Sequence, residues 1–136
     1  MHTEKDNRPF YVADARDHRN FEPFIKYFKN CKNGLEIAAG QGFFLDQVKS
    51  SGGIMAGVEI DPELCAQMQR RGLTVHQQDF FEFLEASPDA YFDGCMAAHI
   101  VEHFMPSDVI RLLTLLHRTM SEGARLVIVT PNIANL

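Results

Sequence analysis

The chain has 136 residues, room for one hydrophobic core and not for two. Hydrophobic residues make up 46% and charged residues 23%, an ordinary globular balance, and no apolar run approaches the ~20 residues that span a bilayer, so no membrane partner is expected. The formal net charge of −5 is uneven: residues 1–34 hold seven Lys/Arg against five Asp/Glu and the remainder six against thirteen, which weighs against unaided nucleic-acid binding. Met1 to Asp6 has no apolar core, so a secretory leader is not expected. Cys31, Cys65 and Cys95 form no C-x-x-C pair and read as free thiols, from which a cytoplasmic location is expected.

In chain order, residues 1–33 read as a polar arm and a helix, and residues 34–136 as the domain proper. Phe21, Phe24, Ile25 and Phe28 recur at helical spacing. After Asn33-Gly34, residues 35–38 make a short buried strand, and Phe43 to Ser50 a helix stopped by Gly52-Gly53. Ile54 to Ile60 is a second strand; Asp61-Pro62 caps the next helix, which Gly72 ends. Leu73 to His76 is a third strand, Phe80 to Ala86 a short helix, and Tyr91 to Ala98 a fourth strand. Ser107 then caps a helix whose Val109, Ile110, Leu113, Leu116 and Met120 face the core, and Gly123 ends it. Arg125 to Thr130 is the fifth strand. Strands alternating with helices imply βαβ units, a parallel sheet and right-handed crossovers.

Three segments carry chemistry. Gly40-Gln41-Gly42 follows the first strand and opens a helix, where glycines let the backbone turn sharply and approach a ligand beside a positive helix end. Leu45 stands where a dinucleotide fingerprint wants a third small residue, so NAD is disfavoured. Glu59, nineteen residues after Gly40, ends the second strand and can accept from both ribose hydroxyls of an adenosine-containing cofactor, at a strand tip where its loss should spare the fold. Asp79 can accept from an adenine amino group, with Phe80 or Ile60 packing on the ring; capping the next helix is an equally good reading of Asp79.

The segments LEIAAGQG, GVEIDPELC, QQDFFEF, YFDGCMAAHIVEHF and GARLVIVTPN occur in an order and spacing that resembles the class I S-adenosylmethionine-dependent methyltransferases over roughly residues 34–132. The resemblance implies a Rossmann-like three-layer αβα sandwich on a mostly parallel five-stranded sheet of order 3-2-1-4-5, with the family's sixth and seventh strands absent. It implies that Glu36, Gly40 and Gly42 hold the methionine end of S-adenosylmethionine, Glu59 the ribose, and Asp79 with Phe80 the adenine. Ala97, Ala98 and His99 would line the cleft near the sulfonium. Ala38 occupies a position that is usually glycine, which crowds the turn.

His99-Ile100-Val101-Glu102-His103 also fits H-x-x-E-H, a zinc-peptidase pattern, but no third ligand is evident and no metal is expected. Glu102 and His103 are candidates for substrate positioner or base, or for a structural role. The acceptor is expected to be a small or sugar-containing molecule. RNA touched by the basic, aromatic head (Phe10, Tyr11, Phe21, Phe24, Tyr27, Phe28), or a non-catalytic cofactor-binding module, are the alternatives. Leu126 to Val129 reads as a strand covered on both faces yet placed at a sheet edge, so a homodimer or a partner covering that edge is expected.

Overall fold

The computed structural model describes residues 21–130. Expectations for Phe10, Tyr11 and the rest of the arm, and for Pro131-Asn132, lie outside the described residues. Five parallel strands, β1 (Gly34–Ile37), β2 (Met55–Glu59), β3 (Val75–Gln77), β4 (Phe92–Ala98) and β5 (Met120–Val129), form one sheet of order β3-β2-β1-β4-β5. The helices are α1 (Phe43–Ser50), α2 (Pro62–Arg70), α3 (Phe80–Glu85) and α4 (Pro106–Thr119), with 3₁₀ turns at Glu22–Tyr27 and Val101–His103.

Period-two alternation decides which side chains meet which layer. Leu35, Ile37, Cys95 and Ala97 pack with Leu84 of α3 and Leu112 and Leu116 of α4. Met96 points to the opposite layer, against Phe28, Cys31, Phe44 and Val48. Leu45 of α1 meets Leu64 and Met68 of α2 and Leu73, which lies in the loop before β3 and not in the strand itself. The Phe21–Phe28 stripe is a 3₁₀ turn opened by Pro23; Phe28 is its fully buried anchor, while Phe21, Phe24 and Ile25 are half-buried beside Met96.

Two expectations change at α4. Its N-cap is Met105, not Ser107, with Pro106 at the first helical position and the Asp108 carboxylate accepting from the Met105 N–H at 3.3 Å. Its buried face is Leu112, Leu116 and Thr119, whereas Ile110 is 66% exposed and Leu113 is also open to solvent. The run from Val109 to Leu116 is apolar in two overlapping helical registers, and packing against β1 and β4 selects one.

Gly123 does not stop the helix, which ends at Thr119. It lies inside β5 with φ +81°, where β5 advances from Met120 to Arg125 while β4 advances from Phe92 to Gly94. The bulge absorbs the excess residues. Among the described residues β5 is the sheet edge, as expected, but it is covered on one face only. Val127 and Val129 pack against the Met96 cluster, whereas Leu126 and Ile128 are more than one-third exposed.

Leu112→Ala is therefore expected to cost about 2–5 kcal/mol in urea unfolding. Ile110→Ala should stay within about 0.5 kcal/mol of the parent. The reverse ranking would contradict the buried face assigned here.

Candidate functional site

Strand order reverses between β1 and β4, and in open α/β sheets the crevice at the carboxyl ends of such strands is where ligands bind. The residues singled out from the sequence collect at that edge. The first strand stops at Ile37 because Ala38 adopts φ +55°, which initiates the turn; Gly40 follows at φ +62° and Gly42, the N-cap of α1, at φ +82°. A Cβ on Gly42 would lie 2.7 Å from the Met68 side chain, so a larger residue is shut out. A Cβ on Gly40 would meet no atom within 4 Å, leaving its backbone open to a ligand.

Glu59 holds this turn. Its Oε1 accepts from the Gly40 N–H at 2.8 Å and its Oε2 from the Asp61 N–H at 3.0 Å. The residue ends β2 as expected but is only 1% exposed, so its loss removes structural bonds and is not neutral for the fold. Burial raises its carboxyl above the ordinary range, and the Asp61 and Gly40 amides pull in the other direction. Asp61 caps α2 as expected, accepting from Glu63 and Leu64.

Ala38, Val58, Glu59, Ile60, Gln78, Asp79 and Phe80 line a pocket of about 90 Å³. Ile60 stands 53% exposed at this pocket, an apolar surface suited to an aromatic ring. Asp79 caps α3 through Oδ1, accepting from the Glu82 N–H at 3.1 Å, so the capping reading holds alongside its place in the pocket. Of the other predicted residues, Glu36 is buried beneath the turn, and its Oε1 has no hydrogen-bond partner among the described residues.

On the β4 side, Ala97 lies wholly inside the core and does not open to the crevice. Ala98 is half-buried against the Met96 cluster. His99 ends the strand with φ +58°, its N–H donating to the Val129 carbonyl at 2.7 Å and its ring 5.7 Å from Phe21. Glu102 Oε2 sits 3.9 Å from both His99 Nδ1 and His103 Nε2, and Thr130 Oγ1 donates to Glu102 Oε1 at 3.3 Å. His99 leaves a strand and His103 closes a 3₁₀ turn, so the two do not share the helical face that the zinc-peptidase pattern requires. Among the described residues no three His, Cys, Asp or Glu groups assemble into a metal site. Sequence alone assigns no role to Val58, Gln78 or Thr130, although they lie inside the segments GVEIDPELC, QQDFFEF and GARLVIVTPN respectively.

The fold and site define a Rossmann-like α/β domain in which a glycine turn is tied to an acidic strand end that lines a pocket. A family model described as a methyltransferase domain matches residues 35–128. The chain belongs to that methyltransferase domain family. Among solved structures it is similar to an S-adenosylmethionine-dependent methyltransferase from Archaeoglobus fulgidus, at 33% identity and TM-score 0.82, over 87% of this chain and 53% of that one. A Pyrococcus horikoshii protein matches at 19% identity and TM-score 0.74, over 90% of this chain and 62% of that one. The 1,6-didemethyltoxoflavin-N1-methyltransferase of Burkholderia thailandensis, solved with its substrate and S-adenosylhomocysteine, matches at 19% identity and TM-score 0.63, over 84% of this chain and 50% of that one. The latter two show the fold alone. The chain thus spans about half the length of the Archaeoglobus protein and less than two thirds of the Pyrococcus one. No curated protein matches in a sequence search. No helix among the described residues is long and apolar enough to cross a membrane.

Burial and the neighbouring Glu59 push the Glu36 carboxyl well above the ordinary value of 4.5. The folded chain thus holds this proton more tightly than the unfolded one. Stability from this source is full below about pH 4.5 and declines as pH rises toward the raised folded value. Glu36→Gln should remove that decline. Its urea midpoint should pull ahead of the parent's as the pH is raised; parallel pH profiles would show that Glu36 is not the group responsible.

Proposed function

We propose that the chain binds S-adenosylmethionine and transfers its methyl group to a small or sugar-containing acceptor. The observation that carries this reading is the joined turn and pocket, in which Glu59 ties Gly40 to the β2 end while Ala38, Ile60, Asp79 and Phe80 line the adjoining cavity. The residues present fit the cofactor. Gly40 exposes backbone with no side chain in the way, and Glu36, in the strand that leads into the turn, has a buried oxygen without a partner among the described residues, free to receive the methionine end. Asp79 is placed to accept from an adenine amino group, and Phe80 and Ile60 to pack on the ring. Glu59 would meet the ribose with acceptor capacity beyond its two backbone bonds, since a carboxylate offers about four lone-pair sites.

When bound, the cofactor supplies an already activated methyl group, so the protein's work is placement and proton handling. Glu102 lies between two imidazoles with Thr130 bonded to its other oxygen, an arrangement that orients the rings. Imidazole exchanges protons near neutral pH. His103 or His99 can then take the proton that an acceptor hydroxyl or amine must lose. The acidic balance of residues 35–136 favours a small acceptor over RNA.

Incubation with methyl-labelled S-adenosylmethionine and a fractionated cell extract tests the assignment. Label in the metabolite fraction supports it, and label in RNA redirects it to the nucleic-acid reading. Cofactor binding without label transfer favours the non-catalytic module, and calorimetry that finds NAD binding without S-adenosylhomocysteine binding overturns the whole. His103→Ala should lower turnover by about 10²–10⁴-fold while leaving cofactor affinity nearly unchanged. Equal loss of both would make His103 structural.

The outer edge of β5, unpaired among the described residues and with Leu126 and Ile128 exposed beside it, supports a twofold dimer or a partner seated there. Light scattering that gives a monodisperse monomer would overturn the dimer.

A further inference from the structure

The Gly40–Gly42 turn is gripped from outside as well as from within. Arg71, the C-cap of α2, donates from Nη2 to the Gln41 carbonyl. Its Nε donates to Asp46 Oδ2, in the first turn of α1, at 3.2 Å, and its Nη2 lies 3.0 Å from the same oxygen. Its guanidinium carbon lies 5.9 Å from the centre of the Phe43 ring. The side chain is only 35% exposed. One planar group thus joins the turn to the start of the helix that follows it, from a position thirty residues further along the chain.

The peptide between Gln41 and Gly42 is bonded at both ends as a result. Its N–H donates to the Ala39 carbonyl at 3.0 Å, and its C=O accepts from Arg71. Without the second bond, this peptide has Gly42 at φ +82° on one side and Gly40 at φ +62° one residue back on the other, both with mirror-image alternatives close in energy. Glu59 fixes the Gly40 N–H but does not touch the Gln41 carbonyl. Lys49 reinforces the same seam, donating to the Gly72 carbonyl at 3.1 Å, but it does not reach the turn.

We propose that Arg71 is a positioning residue for cofactor binding: by holding the Gln41 carbonyl outward it keeps the turn in its ligand-ready form before S-adenosylmethionine arrives. This rests on the reading of the turn as the seat of the methionine end. The ordering is done in the free protein, so binding does not have to supply it. An exposed ion pair with Asp46 alone would contribute little. The contact with the turn makes the difference. Lysine is a poor substitute, because a single ammonium cannot address the Gln41 carbonyl and Asp46 with the fixed fork of a guanidinium.

Calorimetry with S-adenosylhomocysteine on the full chain, its Arg71→Ala and Arg71→Lys variants tests this, together with thermal melts and amide exchange at Gly42. Arg71→Ala should bind about tenfold more weakly, equivalent to about 1.4 kcal/mol, with faster Gly42 exchange in a protein that still melts cooperatively. In turnover assays the cofactor KM should rise and kcat at saturating cofactor should hold, a split that a mere loss of folded protein would not produce. Arg71→Lys should fall between the two. Parent affinity in a folded Arg71→Ala protein overturns the proposal; if that variant does not fold, parent affinity in Arg71→Lys does so instead. Failure of the parent chain to bind at all would sink the methyltransferase reading and this proposal with it, whereas parent binding with unaffected variants sinks this proposal alone.

Discussion

Both oxygens of the Glu59 carboxylate are committed within the chain, one to the Gly40 amide and one to the Asp61 amide. Those two bonds tie the turn after β1 to the start of α2, across the pair of strands that forms the centre of the ligand edge. An ionised acceptor is suited to the task because hydrogen bonds to a charged group are about twice as strong as neutral ones. The drawback is desolvation, which raises the Glu59 carboxyl, while its own burial and then the neighbouring Glu59 charge raise Glu36.

The glycine turn, the Asp61 and Asp79 caps and the parallel βαβ order were legible in the sequence because each is encoded within a few residues. A proline after an aspartate fixes φ and removes a donor, and a glycine at a strand end admits the positive φ a sharp turn needs, wherever the chain goes next. The face of α4 was not legible. Val109 to Leu116 offers two apolar stripes of similar quality, and only the position of β4 distinguishes Leu112 from Ile110. Gly123 reads locally as a helix stop, yet its left-handed φ serves a bulge set by pairing with β4.

The site divides in the same way. Ala38, Glu59, Ile60, Asp79 and Phe80 fall together in one pocket because they sit at the ends of adjacent strands, a relation that strand order alone predicts. That Glu59 is buried, and that Ala97 faces the core, depend on the layers above and below the sheet, which period-two reading of a short strand does not specify. Arg71 left no trace in the pattern, since its target is thirty residues away and an arginine at a helix end is unremarkable.

The uneven flanking of the sheet has a mechanical side. β1 is held by β2 on one flank and β4 on the other, while β5 is held by β4 alone. The nucleoside side also ends in an edge strand, the three-residue β3 beside β2, but only on the β5 side is the tip of the edge strand bonded to His99 and Glu102. The Val129 carbonyl takes the His99 amide, and Thr130 bonds Glu102, so a small displacement of the end of β5 is transmitted directly to the imidazole–carboxylate group. Whatever stiffens that edge also sets the spacing of the groups that would handle the acceptor's proton, so edge packing can tune the chemistry without altering a residue in the pocket.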